Sequence, residues 1–128
     1  MKIKTLLCGC KGDCPALKNV DMSTLPSEIE SELDVEYAAV HPQLCEPGGK
    51  GILSDVMRSA TDDPDTYVLV GACAPPEQLK HFRKLLRESD LDPKRFVPVD
   101  IQETTNEGIL ERIGKQIEAL VQARKKPH

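Results

Sequence analysis

The chain has 128 residues, 39% of them apolar and 30% charged, and a net charge of −4. That length suits one domain, able to bury roughly two-thirds of its unfolded surface in a single core without covalent staples. The acidic balance, the absence of Trp and only four Phe and Tyr residues speak against a nucleic-acid binder, and no apolar run of about eighteen residues is present to enter a membrane.

In chain order, the first element is a β-rich run, Ile3 to Leu7, which is too short for the apolar region of a secretory signal. A cytoplasmic location is therefore expected. Leu25, Ile29 and Leu33 then recur at helical spacing, followed by a second strand, Val35 to Val40. Ile52, Leu53, Val56, Met57 and Ala60 line one face of a second helix, and Thr61 to Asp65 forms the loop to a third strand, Tyr67 to Val70. Leu79, Phe82, Leu85 and Leu86 mark a third helix, and Phe96 to Val99 a fourth strand. The last helix carries the stripe Ile109, Leu110, Ile113, Ile117, Leu120 and Val121 behind Thr104-Thr105-Asn106-Glu107, which has the Thr-x-x-Glu spacing of a capping box. Its basic end, Ala123 to His128, complements the helix dipole.

Regular βα alternation implies a parallel sheet covered on both faces, hence a small α/β, doubly wound, Rossmann-like (flavodoxin-like) three-layer domain spanning residues 1–128. Pro98 has no N–H to give a central ladder, so the fourth strand belongs at an edge. The order 2-1-3-4 satisfies this and places the topological switch between strands 1 and 3.

Three of the five cysteines lie in MKIKTLLCGCKGDC, the first fourteen residues. Cys8, Cys10 and Cys14 follow strand 1, Cys45 follows strand 2, and Cys73 follows strand 3. Parallel strands end together, so all five fall at the carboxyl edge, where α/β folds hold ligands. Six glycines (Gly9, Gly12, Gly48, Gly49, Gly51 and Gly71) lie within six residues of a cysteine, and glycine lets backbone N–H groups approach a bulky anionic group. Pro15, Pro47 and Pro75 stiffen the same loops, and Cys45 and Cys73 precede helices, whose dipoles favour thiolate. An odd cysteine number in a reducing compartment points to metal or redox chemistry rather than a disulfide framework.

Taken singly, any of these cysteines reads as a small core residue; all five at one edge do not. Cys8-x-Cys10 turns both side chains to one face only if the strand persists. Paired Cys-x-x-Cys units, usual for zinc and for thioredoxin-type exchange, are missing, although Cys10 and Cys14 leave thiol chemistry open. Pro47-Gly48-Gly49-Lys50-Gly51 lacks the ending of a phosphate-binding loop and reads as a turn. His41 and His81 read as surface residues.

Val68-Leu69-Val70-Gly71-Ala72-Cys73-Ala74-Pro75, the following His81-Phe82-Arg83, Ser89-Asp90-Leu91-Asp92-Pro93 and Asp100-Ile101-Gln102-Glu103 together resemble the N-terminal domain of the A subunit of heterodisulfide reductase. Leu44-Cys45-Glu46-Pro47-Gly48 and Leu7-Cys8-Gly9-Cys10 are similar to its other cysteine segments. The resemblance implies an electron-transfer domain with Cys8, Cys10, Cys45 and Cys73 holding a 4Fe-4S cluster, Gly9, Gly12, Gly48 and Gly71 close to it, and flavoprotein or iron-sulfur subunits as partners. A zinc ion or a 2Fe-2S cluster is the alternative cofactor. Cys14 is an addition to the family pattern, a candidate fifth ligand. The chain has no Gly-x-Gly-x-x-Gly and cannot bind flavin as the full A subunit does. The delta subunit of methyl-viologen-reducing hydrogenase, more distantly similar, has a second cysteine where this chain has Ala74-Pro75-Pro76-Glu77. One cluster with no substrate pocket implies a relay rather than an enzyme. The other readings are a zinc-bound or metal-free module that docks a redox partner, and a thiol-dependent enzyme using Cys10 or Cys14.

Overall fold

The computed structural model describes residues 1–12 and 14–125. Four strands and four helices alternate: β1 (Lys2–Cys8), α1 (Leu25–Glu32), β2 (Tyr37–His41), α2 (Pro47–Thr61), β3 (Thr66–Ala72), α3 (Pro75–Ser89), β4 (Phe96–Asp100) and α4 (Asn106–Lys125). Of the basic C-terminal end, Arg124 and Lys125 close α4, while residues 126–128 lie outside the described residues. The sheet is wholly parallel in the order β2-β1-β3-β4, a small Rossmann-like domain. Pro98 sits on edge strand β4, where its missing N–H costs no ladder bond on the open side. No helix among the described residues is long and apolar enough to cross a membrane.

Alternation along β1 divides the core. Ile3 and Leu7 join Leu69, Val97 and Val99 beneath Leu25 and Ile29 of α1 and Ile109, Ile113 and Ile117 of α4. Leu6, Val68 and Val70 meet Leu53 and Met57 of α2 and Phe82 and Leu86 of α3 on the other face, with Cys8 packed beside them. Burying such side chains stabilises the fold by roughly 1.5–3 kcal/mol each. At the amino edge, Arg95 donates from Nη1 to the carbonyls of Ala60, Asp63 and Thr66 at 2.7, 2.6 and 3.0 Å, tying the entry to β3.

Two helices are rotated from their apolar patterns. Ile52 of α2 is 45% exposed and Leu79 of α3 is 44% exposed. The rotation of α2 follows from Gly49, where a Cβ would fall 2.2 Å from the Gln43 carbonyl oxygen. With Gly49 facing inward, Leu53, Met57 and Ala60 share its side and Ile52 turns out. In α3 the buried series is Gln78, Phe82, Leu86 and Ser89, because the Gln78 amide finds carbonyl partners inside. Leu33 lies one residue beyond α1 in an extended conformation, still packed on the core. The start of α4 also differs from the capping-box spacing. Its capping hydroxyl is that of Thr105, which accepts from the Gly108 N–H at 3.3 Å. Just upstream the chain takes a left-handed φ of 57° at Glu103, whose N–H donates to the Ala16 carbonyl at 2.7 Å. That long-range bond places Thr104 against Gly108 and leaves capping to its neighbour.

Candidate metal centre

Sheet register brings the cysteine-bearing loops level. Cys8, the last residue of β1, pairs with His41 at the end of β2, while Leu7 pairs with Gly71, so Cys73 lies just one residue past the level of Cys8. After Cys8 the strand stops. Gly9 donates to the His41 carbonyl at 2.8 Å, Gly12 donates back to the Gly9 carbonyl at 2.9 Å, and Cys10 takes a left-handed φ of 50° in the short 3₁₀ turn Cys10–Gly12. Cys8 and Cys10 are therefore not strand neighbours on one face. Cys14 directly precedes a second turn, Pro15–Leu17.

Cys45-Glu46-Pro47 and Cys73-Ala74-Pro75 repeat one local pattern. In each, Pro is the first helical residue, where a missing N–H costs nothing, and the cysteine lies two residues before it. Pro also holds the preceding residue extended, which ends the turn at a defined point. Both thiols are thereby presented at the carboxyl edge by helices packed on the same sheet face.

All five cysteines, unpaired and half-buried, line a single cavity of about 180 Å³. Its apolar walls include Leu17, Leu44, Phe82 and Ile101, and Gln43, His81 and Gln102 add polar groups. Two sulfurs already accept hydrogen bonds: Cys8 Sγ from the Leu44 N–H at 3.5 Å and Cys45 Sγ from Gln43 Nε2 at 3.2 Å. Gln43 is held in turn by its own N–H, which donates to His41 Nδ1 at 3.0 Å. His41 thus shapes the β2 turn, and His81 is an exposed residue at the cavity wall.

Burial, contact with the Cys14 thiol and the charges of Cys14, Cys8 and Cys45 push the Cys10 thiol up to about 11. Burial likewise raises Cys73, with Cys8, Glu77 and Cys45 adding to the effect. Thiolates crowded into an apolar pocket repel one another, and a bound cation reverses that balance. Among the described residues, no three His, Cys, Asp or Glu side chains converge closely enough to hold a metal ion. The five thiols share one cavity with apolar walls, and N–H groups are directed at two of the sulfurs, a donor set whose chemistry suits a thiolate-ligated group.

None of Gly9, Gly12, Gly48 and Gly71 is among the cavity-lining residues. At Gly71 a Cβ would come within 2.7 Å of Leu7 Cδ2 and 2.9 Å of Ile101 Cγ2, so its small size serves packing behind the cavity. Pro47-Gly48-Gly49-Lys50-Gly51 opens α2 as its first turn.

Two residues the sequence reading passed over organise the site. Gln78, fully buried, donates from Nε2 to the carbonyls of Val70, Cys73 and Val99. Its signal is a polar residue at i, i+4, i+8 with Phe82 and Leu86. Arg112 donates from Nη1 to the carbonyls of Asp100 and Gln102 at 2.8 and 2.9 Å, holding the segment that carries Ile101 and Gln102 over the cavity. Through the Glu103–Ala16 bond, this segment also braces the loop that bears Cys10 and Cys14.

The fold and the cavity define a small Rossmann-like domain with a thiol-lined site at the carboxyl edge of its sheet. No family model matches the chain, and no curated protein matches it significantly.

Proposed function

We propose that this chain is an iron-sulfur electron-transfer domain that holds one 4Fe-4S cluster through Cys8, Cys10, Cys45 and Cys73 and works in the cytoplasm. It relays electrons within a heterodisulfide-reductase-like complex or between soluble carriers, with flavoprotein or iron-sulfur subunits as partners. The observation that carries the reading is that cysteines from three separate strand ends line one cavity. Bound there, a cluster supplies reversible one-electron chemistry. The chain's own groups do the rest: Leu44 N–H and Gln43 Nε2 stabilise negative charge on Cys8 and Cys45, and Leu17, Leu44, Phe82 and Ile101 supply apolar wall around the half-buried sulfurs. Cys10 and Cys73 hold their protons tightly in the metal-free protein, so ligation must displace protons as it proceeds. Cys14 lies beside Cys10 and is the candidate fifth ligand.

Zinc is the second reading, without the paired Cys-x-x-Cys units usual for it. A thiol-dependent enzyme acting through Cys10 has less still, because a thiol pushed up to about 11 is a poor nucleophile at neutral pH. The test is anaerobic loading with iron and sulfide. A brown protein with about four irons and four acid-labile sulfides per chain is expected; a colourless protein that retains zinc and rejects iron overturns the proposal.

A further inference from the structure

The helix that borders the cavity also bears a concentrated cationic face. Lys80, Arg83, Lys84 and Arg87 of α3 are all exposed, and their spacings of three and four residues set them on one side of the helix. Lys84 reaches Glu88 at 3.9 Å, while Lys80, Arg83 and Arg87 make no ion pair or hydrogen bond with a described residue. Exposed Leu79 borders the stripe and, with Arg83, Arg87, Asp90 and Asp92, lines a shallow groove at its C-terminal end.

Helix α1 and its flanks, on the other face of the sheet, are charged the other way. Between Asn19 and Gln43 the chain has six carboxylates (Asp21 and five from Glu28 to Glu36) and no Lys or Arg. Three of them are on α1, which packs against the sheet face turned away from α3. The basic stripe of α3 and the acidic stretch around α1 thus lie on opposite faces of the sheet. The stripe adjoins the thiols: Phe82 and His81 line the cavity, and Cys73 lies two residues before the helix.

We infer that the α3 stripe is the docking surface for an acidic protein electron carrier, one whose redox group is ringed by carboxylates. The inference rests on reading the cavity as a cluster site. Such a cationic stripe steers an approaching anionic surface onto itself and raises productive encounters more than final affinity. A compact carrier seated on α3 meets the cavity wall. For a nucleic-acid strand the stripe offers no Phe, Tyr or Trp on which bases stack.

The test uses the full chain loaded with iron and sulfide, with a plant-type ferredoxin as probe. Chemical-shift changes on titration should map to α3 and the adjoining cavity rim, and affinity should fall about tenfold between about 50 and about 300 mM salt. Lys80→Glu and Arg83→Glu should each weaken binding about tenfold. Lys115→Glu, the same charge change on α4, should alter it less than about twofold. No binding, equal sensitivity to Lys115→Glu, or tighter binding of a thymidine oligonucleotide overturns the proposal. Reduction rates separate the two readings. Binding on α3 without electron passage refutes the cluster reading and leaves the docking surface standing. Electron passage insensitive to the stripe refutes the docking surface alone.

Discussion

Gln78 donates its side-chain amide to the carbonyl of Cys73 at 2.8 Å, and the same nitrogen reaches the ends of β3 and β4 at Val70 and Val99, each at 3.1 Å. A buried amide in the first turns of α3 thus holds the Cys73 turn against the switch-point edge of the sheet. Gln78→Leu removes these bonds and strands buried carbonyls, an expected loss on the order of 2 kcal/mol in urea unfolding. Iron loading should fall with it. Gln78→Glu keeps the shape but sets a carboxylate against three carbonyls, so it should be worse than Leu at pH 8. Because burial raises that carboxyl's pKa, the variant should regain stability as pH falls and the protonated group can donate. Equal stability of wild type and Gln78→Leu would refute the clamp.

A series of single Cys→Ser variants tests the proposed ligands. Cys45→Ser and Cys73→Ser each take a thiol from a separate strand end and should lower bound iron and sulfide to a small fraction of wild type, measured on anaerobically prepared protein. Cys14→Ser should leave cluster content nearly intact. Loss of iron in Cys14→Ser with none in Cys10→Ser would transfer the ligand role from Cys10 to Cys14.

Cys10 in the metal-free protein should resist alkylation. Its thiol is pushed up to about 11 by burial first and by neighbouring thiols next, so its thiolate fraction stays low until the pH approaches that value. Mass-spectrometric mapping of iodoacetamide labelling across pH 7 to 11 should find Cys10 modified late. The linkage has a matching sign. A raised folded pKa contributes stability below the unfolded value, near 9, which is lost as pH rises toward about 11. Rapid labelling of Cys10 at pH 8 would contradict the crowded-thiol description.

Gly49→Ala tests how the Cys45 turn is set. The new methyl would meet the Gln43 carbonyl oxygen at 2.2 Å and Leu44 Cα at 2.5 Å, and backbone cannot yield as a side-chain end can. A loss of about 1–3 kcal/mol in thermal or urea unfolding is expected, with weaker iron binding because Gln43 and Leu44 supply the N–H groups that reach Cys45 and Cys8. Gly48→Ala, with open space around it, should be close to neutral.

The alternation of strands and helices, the sheet order and the gathering of all five cysteines at one edge were legible in the sequence because each depends on local or topological rules. Period and punctuation mark the elements, Pro98 marks an edge, and parallel strands must end together whatever their side chains. Tertiary structure alone decided the rest. An apolar helix pattern leaves the rotation open by about one residue, so Ile52 and Leu79 turned outward only because Gly49 had to meet Gln43 and Gln78 had carbonyls to bond. The course of the loop that brings Cys10 and Cys14 to the cavity depends on the left-handed turn at Cys10 and on the bond between Glu103 and Ala16, residues far apart in the chain. Contacts between distant segments leave no mark in local composition, and they determine which side chains face the cavity.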